Sequence, residues 1–139
     1  MAVICKKMVY DFVVLGATGM QGRIVSRDLL GSGYSVLLCG RDKSRVHDLL
    51  SRYKKGSFTT FDARNNSAMG SILKNSGARV AANCVEGDWN LSILKAAIEA
   101  RMSCVDLGSE IWMTKEQFKL DKELKKRNIT SITGCGSVP

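Results

Sequence analysis

Three glycines follow a short apolar run near the start of the chain, and an amphipathic pattern begins directly after them. Residues 12–15 are apolar and lead into Gly16, Gly19 and Gly22, which are spaced three residues apart. Gly16 lets the chain turn sharply off a strand, Gly19 removes a side chain from the outer face of the turn, and Gly22 lets the new helix pack closely. The pattern predicts a strand–turn–helix unit, as in α/β folds.

The same spacing is a variant of the glycine pattern that binds the pyrophosphate of a dinucleotide. The first turn of the helix directs unpaired N–H groups and the positive end of its dipole towards the phosphates. A tight turn without a ligand is the alternative, but a bare turn requires fewer glycines. We therefore expect a pyrophosphate site, formed mainly by backbone N–H groups, at Gly16, Thr18, Gly19, Met20, Gln21 and Gly22.

The spacing of apolar residues alternates between strand and helix along the rest of the chain. It predicts strands at 10–15, 35–39, 57–61, 79–85, 103–107 and 128–133, with the third, more polar strand near a sheet edge. It predicts helices at 21–30, 67–74 and 90–100, one capped by Asp42, and a charged one that starts at Thr114 with a capping box to Gln117. Such alternation predicts one domain over residues 1–139. Its fold would be a doubly wound, parallel six-stranded sheet in three α/β/α layers (a Rossmann fold) with strand order 3-2-1-4-5-6.

The residues after the second predicted strand indicate which coenzyme binds. Many NAD-binding proteins place an acidic residue here, about twenty residues after the glycines, to accept hydrogen bonds from the ribose hydroxyls. This chain has Gly40 and Arg41 instead. An arginine pairs with a ribose phosphate, which favours NADP, with Arg41 as the phosphate ligand and Lys43 and Arg45 assisting. Two alternatives stay open: Arg41 is an exposed loop residue, or Asp42 reaches the ribose and allows NAD.

Other candidate residues follow the third and fourth predicted strands. Asp62 either accepts a hydrogen bond from the adenine amino group or forms an Asx turn or helix cap. Asn83 and Val85 are expected to frame the nicotinamide, because the fourth strand ends opposite the glycine turn. Cys84 in the same stretch is a conceivable nucleophile, but the only histidine, His47, lies elsewhere among charged residues. A packed thiol is therefore the favoured interpretation of Cys84, and a surface position that of His47.

Two carboxylates, Asp106 and Glu110, follow the fifth predicted strand. They are candidates for holding a substrate amine or for acid–base work. For Asp106 we favour the alternative, a hydrogen bond to a neighbouring loop backbone. The sixth strand is followed by Gly134, Cys135 and Gly136, and two glycines one residue apart allow close approach of a ligand to the backbone.

Charge and cysteine content narrow the classes of partner. The net charge of +8 favours an anionic ligand. The basic residues alternate with acids along helices, and few aromatic residues lie between them, which favours a phosphorylated small molecule over nucleic acid. No apolar stretch is long enough to span a bilayer, and no signal-peptide pattern is visible. Five cysteines without a C-x-x-C pair indicate reduced thiols, no metal site and a cytoplasmic protein.

Several motifs together resemble the N-terminal domain of the saccharopine dehydrogenase-like oxidoreductases. Besides the glycine turn, they are the stretches 39–41 and 83–85, the sequence Asp-Leu-Gly-Ser-Glu at 106–110 within the longer match 104–110, and Gly-Cys-Gly-Ser-Val-Pro at 134–139. The last two are the more specific, and the resemblance covers essentially the whole chain.

The resemblance implies a nicotinamide-dependent enzyme that transfers hydride between the coenzyme and an imine, secondary amine or carbonyl compound. It also implies a second domain after residue 139, which carries the small-molecule substrate site and often the contacts of a homodimer. We therefore expect this chain to bind coenzyme, to be inactive alone and to lack an identifiable catalytic acid. A non-catalytic NADP sensor is the alternative function, because similar glycine turns occur in such proteins.

Overall fold

The computed structural model describes residues 9–85, 87–108 and 110–136 of the chain. The motif residues Ser109 and Ser137 to Pro139, as well as Cys5 and Glu86, lie outside the described residues. The strands are β1 (Phe12–Leu15), β2 (Val36–Gly40), β3 (Gly56–Thr60), β4 (Val80–Asn83), β5 (Ser103–Asp106) and β6 (Ser131–Ile132). The α-helices are α1 (Met20–Gly31), α2 (His47–Arg52), α3 (Asn66–Ser76), α4 (Asn90–Glu99), α5 (Ile111–Phe118) and α6 (Asp121–Lys126), and 3-10 turns lie at Lys43–Val46 and Gly87–Trp89.

The six strands form one sheet in the order β3-β2-β1-β4-β5-β6, and every pair of neighbours is parallel. This confirms the predicted Rossmann-like fold, its strand order and the edge position of β3. The direction of winding reverses between β1 and β4, where Leu15 is in register with Asn83. In such sheets ligands bind beyond the carboxyl ends of the strands at the reversal.

Two hydrophobic clusters cover the two faces of the sheet. One joins β1 and β2 to α1 and α2 through Val14, Leu38, Leu30 and Leu49. The other includes Leu15 on the opposite face and the buried apolar residues of α3 and α4. Consecutive residues of a strand point to opposite faces, so the continuous apolar runs of β1 and β2 supply both clusters.

The segment after β5 differs from the prediction. The capping box at Thr114 is wrong, because α5 already begins at Ile111 and Thr114 lies inside it, where its hydroxyl donates to the Glu110 carbonyl at 3.2 Å. Burial of Met113 and Gln117 on the same side of α5, four residues apart, explains the earlier start. The single charged helix is in fact two helices, α5 and α6, separated by residues 119–120.

Candidate coenzyme site

The turn after β1 is held against its two neighbouring strands by backbone hydrogen bonds. The N–H groups of Gly16 and Ala17 donate to the Cys39 carbonyl, both at 2.9 Å, and the Cys84 N–H donates to the Leu15 carbonyl at 2.9 Å. The ends of β1, β2 and β4 therefore meet at one edge of the sheet, and α1 starts from that edge.

Packing within the protein explains two of the three glycines in the turn. Gly16 has a φ of +80°, and a Cβ there would lie 2.9 Å from the Cys84 carbonyl oxygen. A Cβ on Gly22 would collide with the Gly16 carbonyl. Both positions require glycine whether or not a ligand binds.

Gly19 is different, because the protein itself does not require glycine there. Its φ of −82° and ψ of 173° are ordinary for any residue. Among the described residues other than its two chain neighbours, only the Gly16 residue approaches a Cβ built at this position within 4 Å, with its carbonyl oxygen at 3.3 Å. Gly19 is the N-cap of α1, and no side chain in the described part of the chain caps the helix. The open space beside Gly19 therefore faces the N–H groups of the first helical turn, as close approach of an anion requires.

Gly40 has an internal reason to be glycine. A Cβ at this position would collide with the side chain of Thr18, which is buried at 8% exposure. Thr18 thus fills the space between the glycine turn and the end of β2, and a residue larger than glycine at position 40 would displace it.

A cavity of about 560 Å³ runs from the glycine turn across the ends of β2 and β3. Its wall includes three arginines, Arg41, Arg45 and Arg64, and one carboxylate, Asp62. Lys43 is not part of the wall. Of the predicted site residues, all but Gly22 and Asn83 line this first cavity: Gly16, Thr18, Gly19, Met20, Gln21, Gly40, Arg41, Asp62 and Val85.

A second cavity of about 700 Å³ continues across the ends of β4 and β5. It shares Gln21, Cys84, Val85 and Trp89 with the first cavity, so the two form one continuous groove. Its remaining described lining is neutral or acidic: Gly87, Asp88, Leu107, Gly108, Glu110, Trp112 and Gly136. The groove is thus basic at one end and carries carboxylates and indole rings at the other.

Asp62 forms an Asx turn, one of the two alternatives expected for it. Its Oδ1 accepts from the Arg64 N–H at 3.0 Å, and its Oδ2 lies 2.5 Å from Nη2 of Arg64. These bonds to Arg64, together with the charge of Arg41, hold the pKa of Asp62 well below its usual range. A contact between Asp62 and adenine stays a prediction.

Asn83 lies behind the groove wall. Its side chain is buried at 1% exposure, donates to Asn90 Oδ1 at 2.8 Å and accepts from the Val85 N–H at 3.0 Å. It therefore sets the backbone position of Val85, which lines both cavities. A direct role for Asn83 at the nicotinamide stays a prediction.

Cys84 lines the groove, but its thiol is a poor nucleophile. Burial raises the pKa of Cys84 to about 11. A nucleophilic cysteine requires the thiolate near neutral pH, which calls for a lowered pKa. His47 is exposed at the start of α2, as expected for a surface residue.

Asp106 has the structural role that we favoured. It is buried at 1% exposure, and its Oδ1 accepts from the N–H groups of Gly108 and Gly134 at 2.9 and 3.0 Å. Its Oδ2 accepts from Gln117 Nε2 at 2.7 Å. One carboxylate thus ties together α5 and the two loops that line the second cavity, whereas Glu110 itself lies in the cavity wall.

The sequence did not reveal Arg64, Trp89 and Trp112 as groove residues. Arg64 follows a strand-end aspartate by two residues, which was a usable signal. Trp89 and Trp112 stand at the starts of helices that follow β4 and β5, and only the topology brings them to the same edge. The described residues contain neither a cluster able to hold a metal ion nor a helix long and apolar enough to cross a membrane.

Solved structures with the same fold include several dehydrogenases. The chain is similar to apo saccharopine dehydrogenase (L-Glu forming) from Saccharomyces cerevisiae, with 18% identity and a TM-score of 0.70 over 91% of this chain and 27% of that one. It is also similar to a short-chain dehydrogenase/reductase from Vibrio parahaemolyticus, with 13% identity and a TM-score of 0.71 over 88% of this chain and 82% of that one. A wide-type short-chain dehydrogenase/reductase from Veillonella parvula, solved in complex with NADP, matches with 15% identity and a TM-score of 0.62 over 90% of this chain and 68% of that one. At these identities the likeness shows the fold.

The sequence itself identifies the family. No curated protein matches the chain. Residues 12–132, however, match the family described as the saccharopine dehydrogenase NADP binding domain, and this match spans β1 to β6. The predicted resemblance and the predicted coenzyme, NADP, are thereby confirmed. With its glycine turn, its switch point between β1 and β4 and its basic groove, the chain belongs to the saccharopine dehydrogenase NADP-binding domain family.

Proposed function

We propose that this chain is the coenzyme-binding domain of an NADP-dependent oxidoreductase, with the coenzyme lying along the groove from Arg41 to Glu110. The adenosine end occupies the first cavity, the diphosphate lies at the start of α1, and the nicotinamide occupies the second cavity. The order follows from charge, because the three arginines line only the first cavity.

The space beside Gly19 carries this proposal. Gly16, Gly22 and Gly40 are explained by contacts inside the protein, whereas Gly19 is not. The absent side chain leaves room for a ligand against the N–H groups of Met20 and Gln21, which begin α1. A diphosphate supplies oxygens with the charge that this helix end favours.

The ribose phosphate of NADP is assigned to Arg41. Arg41 follows β2 directly, lines the first cavity and is close enough to lower the pKa of Asp62. Its guanidinium can form two parallel hydrogen bonds with a phosphate. Arg45, in the same wall, adds a second positive charge.

The chemistry itself belongs to the coenzyme, which supplies or accepts a hydride at its nicotinamide ring. In this proposal the residues of the second cavity orient that ring, with the backbone of Val85 fixed by Asn83. The acceptor or donor is an imine, secondary amine or carbonyl compound. Its site is completed by a part of the protein beyond this chain, which spans 27% of the yeast saccharopine dehydrogenase.

A titration of the 139-residue chain with NADPH and with NADH tests the assignment of Arg41. We expect tighter binding of NADPH, and we expect Arg41→Ala to reduce the preference by about tenfold to a hundredfold, since one charge-assisted contact is worth about 1.5–3 kcal/mol.

Lys43→Ala is the matched control. It removes the same charge two residues further along the chain, and the Lys43 side chain does not line the groove. It should leave the ratio of the two affinities within about twofold. Equal affinity of the wild-type chain for NADPH and NADH would contradict the assignment of the ribose phosphate.

A further inference from the structure

Arg23, in the first turn of α1, is bonded to the segment that follows β2. Its Nη1 and Nη2 pair with Oδ1 and Oδ2 of Asp48 at 3.0 and 2.9 Å. Nη1 also donates to the backbone carbonyl of Arg45. The planar guanidinium of Arg23 therefore joins α1 to both the 3-10 turn at Lys43–Val46 and α2, which lie more than twenty residues away in sequence.

The presence of a cation at this position requires an explanation. A positive charge in the first turn of a helix is unfavourable, because it lies near the positive end of the helix dipole. The side chains of Arg23 and Asp48 are 37% and 62% exposed, and ion pairs exposed to this degree contribute little to stability. The pair is therefore better explained by where it places its neighbours than by a contribution to folding.

The Arg23–Asp48 pair lies next to the segment that contributes Arg41 and Arg45 to the basic wall of the first cavity. At the start of the segment between β2 and α2, Asp42 Oδ1 accepts from the Ser44 N–H at 2.9 Å, which fixes the local shape of the turn. Val46, at the end of the segment, is fully buried and anchors it in the core. Arg45 lies directly before Val46, and the bond from Arg23 to its carbonyl restrains the backbone there.

We propose that Arg23 is a positioning residue for coenzyme selection: paired with Asp48, it holds the Arg41–Arg45 segment at a fixed distance from the diphosphate turn. The wall and the turn must contact two different phosphates of the same molecule at once. A fixed separation between them favours the coenzyme that carries both groups, because less freedom is lost on binding. This inference rests on the proposed function, in which Arg41 contacts the ribose phosphate.

The test compares the affinities for NADPH and NADH in Arg23→Ala, with Arg27→Ala as the control. Arg27 is exposed on α1, one turn further on, so the control removes the same charge from the same helix. We expect the NADPH preference to fall about threefold to tenfold in Arg23→Ala and to stay within about twofold of wild type in Arg27→Ala. The affinity for NADH should change less than that for NADPH, because NADH lacks the second phosphate.

A second variant, Arg23→Lys, separates geometry from charge. Lysine keeps the charge but cannot form a fork to both carboxylate oxygens, so we expect it not to restore the preference. Arg23→Gln carries the test if the alanine variant does not fold, because it keeps a polar side chain and loses the ion pair with Asp48. We expect its NADPH preference to fall below that of the wild type, and an unchanged preference in this variant would overturn the inference.

Equal losses of affinity for both coenzymes in Arg23→Ala would show a purely structural role and overturn the inference. So would an unchanged preference in a folded Arg23→Ala or Arg23→Lys variant. If the preference disappears in Arg41→Ala but survives in Arg23→Ala, the inference fails and the proposed function stands. A wild-type chain without any preference overturns both.

Discussion

Replacement of Gly19 by alanine separates binding of a ligand from folding. The backbone at Gly19 already has angles that alanine adopts without strain. The new Cβ meets the Gly16 carbonyl oxygen at 3.3 Å, so that oxygen must move by a few tenths of an ångström. The affinity for NADPH should fall, because the methyl group occupies the space in which the diphosphate approaches α1.

The expected effect on stability is small. Loss of a glycine N-cap costs about 0.5–1 kcal/mol. Reduced freedom of the unfolded chain offsets about 0.4–1 kcal/mol of this. The free energy of unfolding, measured in urea, should therefore stay within about 1 kcal/mol of the wild-type value.

The expected effect on binding is larger. A hydrogen bond to a charged group is worth about 1.5–3 kcal/mol, so loss of one phosphate contact weakens binding about tenfold to a hundredfold. Isothermal titration calorimetry of the folded variant with NADPH measures this loss directly. NADH should lose affinity by a similar factor, because both coenzymes carry the diphosphate.

Two other glycines serve as controls. Gly22→Ala places its Cβ against the Gly16 carbonyl, which is backbone and cannot give way, so we expect a loss of stability of about 3 kcal/mol or more. Apart from the neighbouring turns of α3 itself, no described residue lies within 4 Å of a Cβ built at Gly70, so Gly70→Ala should raise helix stability by about 1 kcal/mol without changing NADPH affinity. A folded Gly19→Ala variant with wild-type affinity would refute the reasoning about the open space.

Three further predictions concern buried groups. The Ser26 hydroxyl is fully buried without a partner among the described residues, so Ser26→Ala should stabilise the chain by about 1 kcal/mol in urea unfolding. Ser76→Ala is the control: it removes a bond of 2.7 Å to the Leu73 carbonyl and should destabilise the chain by a similar amount. Asp106→Ala leaves two loop N–H groups without their acceptor and should cost about 3 kcal/mol in the same assay; a loss below about 1 kcal/mol would contradict its structural role. Burial raises the pKa of Cys84 to about 11, so iodoacetamide at pH 8 should modify the exposed Cys135 well before Cys84. The rate of Cys84 alkylation should rise as the pH approaches 11. Mass-spectrometric mapping that finds Cys84 modified first at pH 8 would count against this.

Local sequence patterns were sufficient to predict the sheet and the position of the groove. Apolar runs separated by helical patterns indicate the strands, and the dinucleotide-type glycine pattern after the first strand favours the order 3-2-1-4-5-6 among the doubly wound sheets. The residues after β1, β2 and β3 could be assigned to the groove from the sequence alone, because the carboxyl ends of parallel strands share one edge of the sheet. Gly19, Arg41 and Asp62 all line it.

Side-chain pairing between distant residues could not be predicted in this way. Arg23 and Asp48 are 25 residues apart, and nothing in either local sequence indicates their contact. Asn83 ends β4, which predicts a place near the coenzyme, but the bond from its amide to Asn90 has no counterpart in the local sequence pattern. The start of α5 was also missed, because Thr114 offered a good local capping pattern, whereas burial of Met113 extends the helix back to Ile111.

The proposed function requires that the turn from Gly16 to Gly22 holds the diphosphate of NADP. Amide chemical shifts of the ¹⁵N-labelled chain during a titration with NADPH test it residue by residue. We predict that the largest changes occur at Gly19, Met20 and Gln21, with a second group at Arg41. Saturable binding that leaves these amides unchanged, or shifts that centre on another part of the fold, would contradict the claim.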